Sequence, residues 1–162
     1  MQVVGMISKV LKILTIVSFV ALVVVVLIQI TGRYTPLTFV WTEELSRFLF
    51  IFSIAFSAPL AMEQREYVRV DLFLNQLSNK VRKYAEAIIY LIIGLFSAFL
   101  IYYAYEFALL GKNQSSATLL IEMFYIHFSM VILFLFLALY SFVNIYVIFK
   151  PDQKDEKEGV RL

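Results

Sequence analysis

The sequence predicts an all-α membrane protein with four transmembrane helices, and three observations carry that prediction. The apolar residues fall into four long runs, the basic residues gather in alternate loops, and the chain is too greasy to fold in water. Of its 162 residues 62% are hydrophobic and 16% charged, with a mean hydropathy of +0.85, so the polar side chains cannot cover a soluble globule. The expected organisation is one four-helix domain over 1–150, with spans near 10–31, 39–62, 84–110 and 119–149 and a disordered cytoplasmic tail over 151–162.

The first run, Ile13 to Ile30, follows Lys9 and Lys12 and is interrupted only by Thr15, Ser18 and Gln29. It is longer and bulkier than the core of a secretory signal and has no small-residue cleavage site, so we expect it to stay as the first helix. Gly32 and Pro36 then end that helix and make a short turn.

Span two organises the chain. Its purely apolar part, Phe48 to Met62, is fifteen residues, which covers roughly 22 Å of a hydrocarbon core of about 30 Å. Extension toward the C-terminus meets Glu63, Arg65, Glu66 and Arg69 at once. Extension toward the N-terminus takes in Arg47, Glu44 and Glu43 and reaches Trp41, a fitting interfacial aromatic. Glu43 and Glu44 stand four and three residues before Arg47, so the spacing predicts both carboxylates on the guanidinium's face, and a paired Arg one turn inside the bilayer is tolerated.

Between spans two and three, Val70, Phe73, Leu74 and Leu77 follow helical spacing with Asp71 as a possible N-cap, which predicts a short amphipathic helix in the membrane interface. Span three, Tyr84 to Leu110, exceeds the thickness it must cross, so it tilts or projects and brings Glu106 to the outer headgroup level. After the polar turn Gly111 to Thr118, span four is read from Leu119 to Phe149, with Glu122 and His127 in a first part that could be re-entrant or interfacial. With the N-terminus inside, eleven basic residues fall on the inner side and two, Arg33 and Lys112, on the outer, leaving Arg47 in its span. Both termini are therefore expected in the cytoplasm.

The residues exclude several chemistries. Without Cys there is no disulfide, thiolate nucleophile or Cys-based metal site, and a single His cannot provide two haem ligands, so no cofactor is expected and a redox-enzyme anchor is the weakest alternative. No basic stripe interleaved with aromatics points to nucleic acid. An acid in a span is a candidate for ion coupling, but Glu43, Glu44, Glu106 and Glu122 all fall near the outer boundary. Ser53 and Ser57 are placed to donate back to helix carbonyls, and Pro59 frees one such carbonyl, which predicts a kink rather than a substrate site. His127, with no nucleophile at a useful spacing, reads as structural.

The pattern Trp41-x-Glu43-Glu44-x-x-Arg47 at the start of span two and Arg65-x-x-x-Arg69-x-Asp71 after it, within four spans, resembles the small membrane subunit of tripartite ATP-independent periplasmic (TRAP) transporters, the DctQ-type component. Tyr67 stands where that family usually has His, Ser57 where it commonly has Gly, and 120–125 lacks its usual Pro. The resemblance implies a subunit of the inner membrane that carries no substrate itself. Its partners would be a large sodium-coupled membrane subunit, a periplasmic substrate-binding protein that delivers an organic acid, and the lipid bilayer. On this reading Trp41, Glu43, Glu44, Arg47, Arg65, Arg69 and Asp71 are subunit-contact or structural residues, with Ser57, Pro59, Glu106, Glu122 and His127 as secondary candidates. The alternative is a self-contained homo-oligomeric carrier or channel using Glu43 or Glu44.

Overall fold

A computed structural model describes residues 2–34, 39–64 and 79–150. Among the described residues four α-helices carry the chain: α1 (Gln2–Gly32), α2 (Trp41–Glu63), α3 (Asn79–Leu110) and α4 (Met123–Phe149), with a 3-10 turn at Gly111–Asn113. All four are long and apolar enough to cross a membrane. The helical form follows from the solvent, because in hydrocarbon each backbone N–H and C=O must find its partner within the segment. α2, at 23 residues, is about 34 Å long and just crosses the core, because its helix runs back through Arg47, Glu44 and Glu43 to Trp41. The expected interfacial helix, with Arg65, Tyr67, Arg69 and Asp71, and the tail over 151–162 lie outside the described residues.

Three helix starts differ from the sequence expectation by more than two residues, and the largest difference is at α1, which begins at Gln2 rather than near residue 10. α3 begins at Asn79, so Lys80, Arg82 and Lys83 belong to its first turns. Cations there oppose the helix dipole, and Glu86 offsets one of them through a 2.9 Å salt bridge with Arg82. α4 begins at Met123 rather than at 119 and runs unbroken to Phe149, so no re-entrant piece precedes it. Hydropathy placed Leu119, Leu120 and Ile121 in the span, but a bridge between Ser115 and Glu122 keeps that stretch out of the helix.

The helices pack in a row rather than a square bundle. α1 packs on α2, α2 on α4 and α4 on α3, with the α3–α4 contact the most extensive and the remaining helix pairings minor. α1 is the most open of the four: 6% of its apolar window is buried, against 28–33% in the other three. One apolar cluster gathers Leu11, Met62, Tyr90, Tyr140 and Ile148 at the end where α1 and α3 begin and α2 and α4 finish. A second, of Ala104, Ala108 and Val131, ties α3 to α4 at the opposite end.

The α3–α4 seam is built from small residues. Ala87, Tyr90, Gly94, Ser97, Ala104, Ala108 and Gly111 are buried, on a line that alternates steps of three and four through Ile101. That is the knobs-into-holes spacing, and filling it with Gly, Ala and Ser lets two backbones approach closely where lipid supplies no hydrophobic drive. At Gly94 an added Cβ would sit 3.1 Å from Ser141 Cβ and 3.4 Å from the Phe142 ring. Gly94→Leu should therefore force α3 off α4 and destabilise the pair by about 1–3 kcal/mol, read as a lower unfolding midpoint of the purified protein in detergent.

Candidate functional site

The sequence gives Glu43 and Glu44 one job, and the structure gives them two. Arg47 Nη2 donates to Glu43 Oε1 across one helical turn. This pair is exposed, with 72% of the Arg47 and 62% of the Glu43 side chain open, so within this chain neither is a buried charge. Glu44 is not the second acceptor for Arg47. Its Oε1 accepts from the Ala117 N–H at 3.0 Å, and its Oε2 accepts from the N–H groups of Thr118 at 2.9 Å and Leu119 at 3.0 Å and from the Thr118 hydroxyl. Three successive amides and a hydroxyl converge on one carboxylate, the geometry of a backbone anion nest. The first turn of α2 is thereby joined to the connection between α3 and α4, which puts those two segments at the same end of the molecule.

Around that contact the other candidates at this end of the molecule take structural positions. Trp41 is the first residue of α2 and meets Phe39 edge-on at 6.3 Å between ring centroids. Thr42, almost fully buried, closes the turn before the helix by donating its hydroxyl to the Phe39 carbonyl at 2.6 Å. Glu106 accepts from the Tyr102 hydroxyl at 2.7 Å, one turn back on α3. Glu122 is the extended residue before α4, and its carbonyl accepts from Tyr125 N–H at 3.2 Å. His127 lays its ring on Phe107, with centroids 4.2 Å apart, and its Nδ1 is buried without a hydrogen-bond partner among the described residues. Gly111 is required beside it, because a Cβ there would lie 2.5 Å from Phe124 N and 2.9 Å from His127 Nδ1. In α2, Ser53 and Ser57 do bond back, to the carbonyls of Leu49 at 2.7 Å and Ile54 at 3.4 Å, and Pro59 is fully buried within the helix.

At the opposite end lies a polar group that sequence reasoning missed. Ser8 Oγ is 2.6 Å from Glu63 Oε1 and 2.8 Å from the Tyr140 hydroxyl oxygen. Ser8 has one proton, so while it donates to the carboxylate, Tyr140 donates to Ser8, and the chain of bonds joins α1, α2 and α4. Asn144 Nδ2 adds a 2.8 Å bond to the Met62 carbonyl, one of those left open by the end of α2. The signal was present as Ser8, Tyr140 and Asn144 within long, mostly apolar helices, but the partners are up to 132 residues apart.

This arrangement defines a four-span membrane protein whose ionic groups are spent on helix ends and connections. The profile of the family described as "Tripartite ATP-independent periplasmic transporters, DctQ component" matches residues 22–150, most of the chain, and the chain belongs to that family. It is thus a transporter component of the inner membrane and not an enzyme. No curated protein matches it.

The polar chain through Ser8, Glu63 and Tyr140 gives a direct test. Tyr140→Phe removes one hydroxyl donor while keeping the ring, and should cost about 1 kcal/mol of stability, measured by denaturant titration of the protein in detergent.

Proposed function

We propose that this chain is the fixed scaffold subunit of a TRAP-type transporter, forming a single four-helix domain over 1–150 with both termini in the cytoplasm. It braces a large sodium-coupled subunit that moves an organic acid, and it contributes to the surface on which a periplasmic binding protein docks. The observation that carries this reading is the division of labour among its charges. Glu44 is committed to backbone donors, Glu43 to Arg47, Glu106 to Tyr102, Glu86 to Arg82 and Glu63 to Ser8, all at helix ends or rims. Among the described residues no group of three or more metal-ligating side chains converges. What the helices offer instead is a row with wide apolar flanks, which suits a protein that lies against another in lipid.

In this reading Trp41, Glu43 and Arg47 set the depth and registry of α2 against the large subunit, and Arg65, Arg69 and Asp71 do the same on the inner side. Ser57 and Pro59 shape α2, while Glu106, Glu122 and His127 hold the outer ends of α3 and α4. Arg47→Ala leaves the Glu43 carboxylate without its cation at the edge of the span. Co-expressed with the large subunit, that variant should be recovered in complex at several-fold lower yield, and recovery at the wild-type level would count against the registry role. Reconstituted alone, the chain should show no solute flux; flux without partners would favour a self-contained carrier.

Orientation has its own measurement, helped by the absence of native Cys. A single Cys at Ser115 should react with a membrane-impermeant maleimide from the periplasmic side of intact cells, and one at Lys150 only after the membrane is opened. The reverse pattern would invert the topology.

A further inference from the structure

The end of the molecule where α3 begins and α4 finishes carries two cations that no neighbouring acid neutralises. Lys83 and Lys150 are exposed, and neither ammonium has a hydrogen-bond or ion-pair partner among the described residues. Glu86, the next acid along α3, is taken by Arg82 at 2.9 Å. The two lysines come from different helices, and the packing of those helices brings them to one level. α3 and α4 run antiparallel with Gly94 against Ser141 and Phe142. Eleven residues from Gly94 toward this end, Lys83 is level with the chain just past Lys150, so the two lie within about one helical turn of each other along the axis. The rings beside them keep the same register, with Tyr84 and Phe149 6.2 Å apart between centroids.

The surroundings of the pair are amphipathic. The span in α3 starts at Val81 and the one in α4 finishes at Phe149, so the lysines straddle the boundary between hydrocarbon and headgroups. Tyr84 and Phe149 stay 62% and 56% exposed although they touch. Deeper in the membrane, Ile88, Leu91 and Leu95 follow Tyr84 at helical spacing and Phe142 stands two turns before Phe149, all of them exposed. An apolar strip along both sides of the seam therefore leads into the hydrocarbon from a pair of unneutralised cations.

We propose that this end of the α3–α4 seam binds an anionic phospholipid, with its phosphodiester between Lys83 and Lys150 and its acyl chains along the strip. The site goes beyond the scaffold role and does not depend on it; in the orientation given above, the lipid belongs to the cytoplasmic leaflet. Two ammoniums at this boundary repel each other across a medium that screens them less than water does, and a phosphate between them replaces that repulsion with two charge-assisted bonds. A protein partner fits less well, because the cores of protein contacts are poor in Lys, whereas basic sites between membrane helices match anionic headgroups. A soluble anion would meet the cations and leave the strip unused.

The test titrates the purified full chain in a neutral detergent with dioleoylphosphatidylglycerol and, separately, with dioleoylphosphatidylcholine, and counts bound lipid by native mass spectrometry. The wild-type chain should bind the anionic lipid about tenfold or more tighter than the zwitterionic one. Lys83→Gln and Lys150→Gln should each weaken phosphatidylglycerol binding by about fivefold while leaving phosphatidylcholine binding and the unfolding midpoint unchanged, and Lys83→Arg should keep the wild-type affinity. Lys12→Gln, which removes a cation near the same end but from α1 at the far edge of the row, should change neither. Equal affinity for the two lipids would overturn the site, and so would a loss in Lys12→Gln as large as in Lys83→Gln, which would reduce the effect to diffuse surface charge. Displacement of the lipid by an equal concentration of inorganic phosphate would assign the lysines to a soluble anion. Release of the lipid when the large subunit is bound would assign this face to that protein, and either result would overturn the proposal.

Discussion

In hydrocarbon a backbone amide has no water to fall back on, so a membrane helix may end only where its last polar groups, and those of the chain leaving it, can be satisfied. At both ends of this molecule such groups are met by side chains from another helix. The connection between α3 and α4 cannot stay helical across 114–122, and three of its amides turn toward α2. Glu44 meets them with one carboxylate and so fixes how far α2 projects and where α4 starts. The same rule explains the other end. There α2 stops at Glu63, Asn144 answers the Met62 carbonyl, and Ser8 donates to the Glu63 carboxylate while it accepts from Tyr140.

With its helix ends tied in this way, the row of helices needs little side-to-side apolar interlock. α3 and α4 form the most extensive seam, and its small residues bring the backbones together so that dispersion contacts can supply what the hydrophobic effect cannot between helices in lipid. α1 hangs at the edge, attached to α2 along its length and to α4 through Ser8. A row has two wide faces and two edges, so a large share of each helix remains available to lipid or to another membrane protein, and Phe, Leu, Ile and Val crowd those open positions.

What the sequence made legible follows from what is local. Four runs of apolar residues are each long enough to announce a span by themselves, and the shortness of Phe48 to Met62 forced α2 back to Trp41, where its helix does begin. The Glu43–Arg47 pair was visible because four residues of helix set it. The partner of Glu44 was not, because the donors are backbone amides more than seventy residues away and no side-chain pattern marks an amide. Spacing alone therefore gave Glu44 to Arg47, the nearest cation. The start of α4 was misplaced for a related reason: Leu119, Leu120 and Ile121 have the hydropathy of a span, but the backbone bonds of the connection hold them in a non-helical turn. The line of small residues along α3 lay in plain view yet reads as unremarkable apolar sequence until a facing helix shows why bulk is absent there.

The same geometry bears on whether this subunit could move ions itself. A coupling acid must exchange partners during a cycle, holding an ion in one state and a proton or a counter-charge in another, and it works best where desolvation makes each exchange consequential. Glu44 is poorly suited to that cycle. Releasing its carboxylate would strand three amides and a hydroxyl at once, so an ion would have to repay the whole set of bonds before binding gained anything. Glu43 has the opposite defect, being exposed beside a permanent cation that keeps it paired, so an arriving sodium ion would compete with a guanidinium already in place. Both acids are therefore better suited to holding segments of this chain in place than to gripping cargo, which supports the scaffold role proposed above.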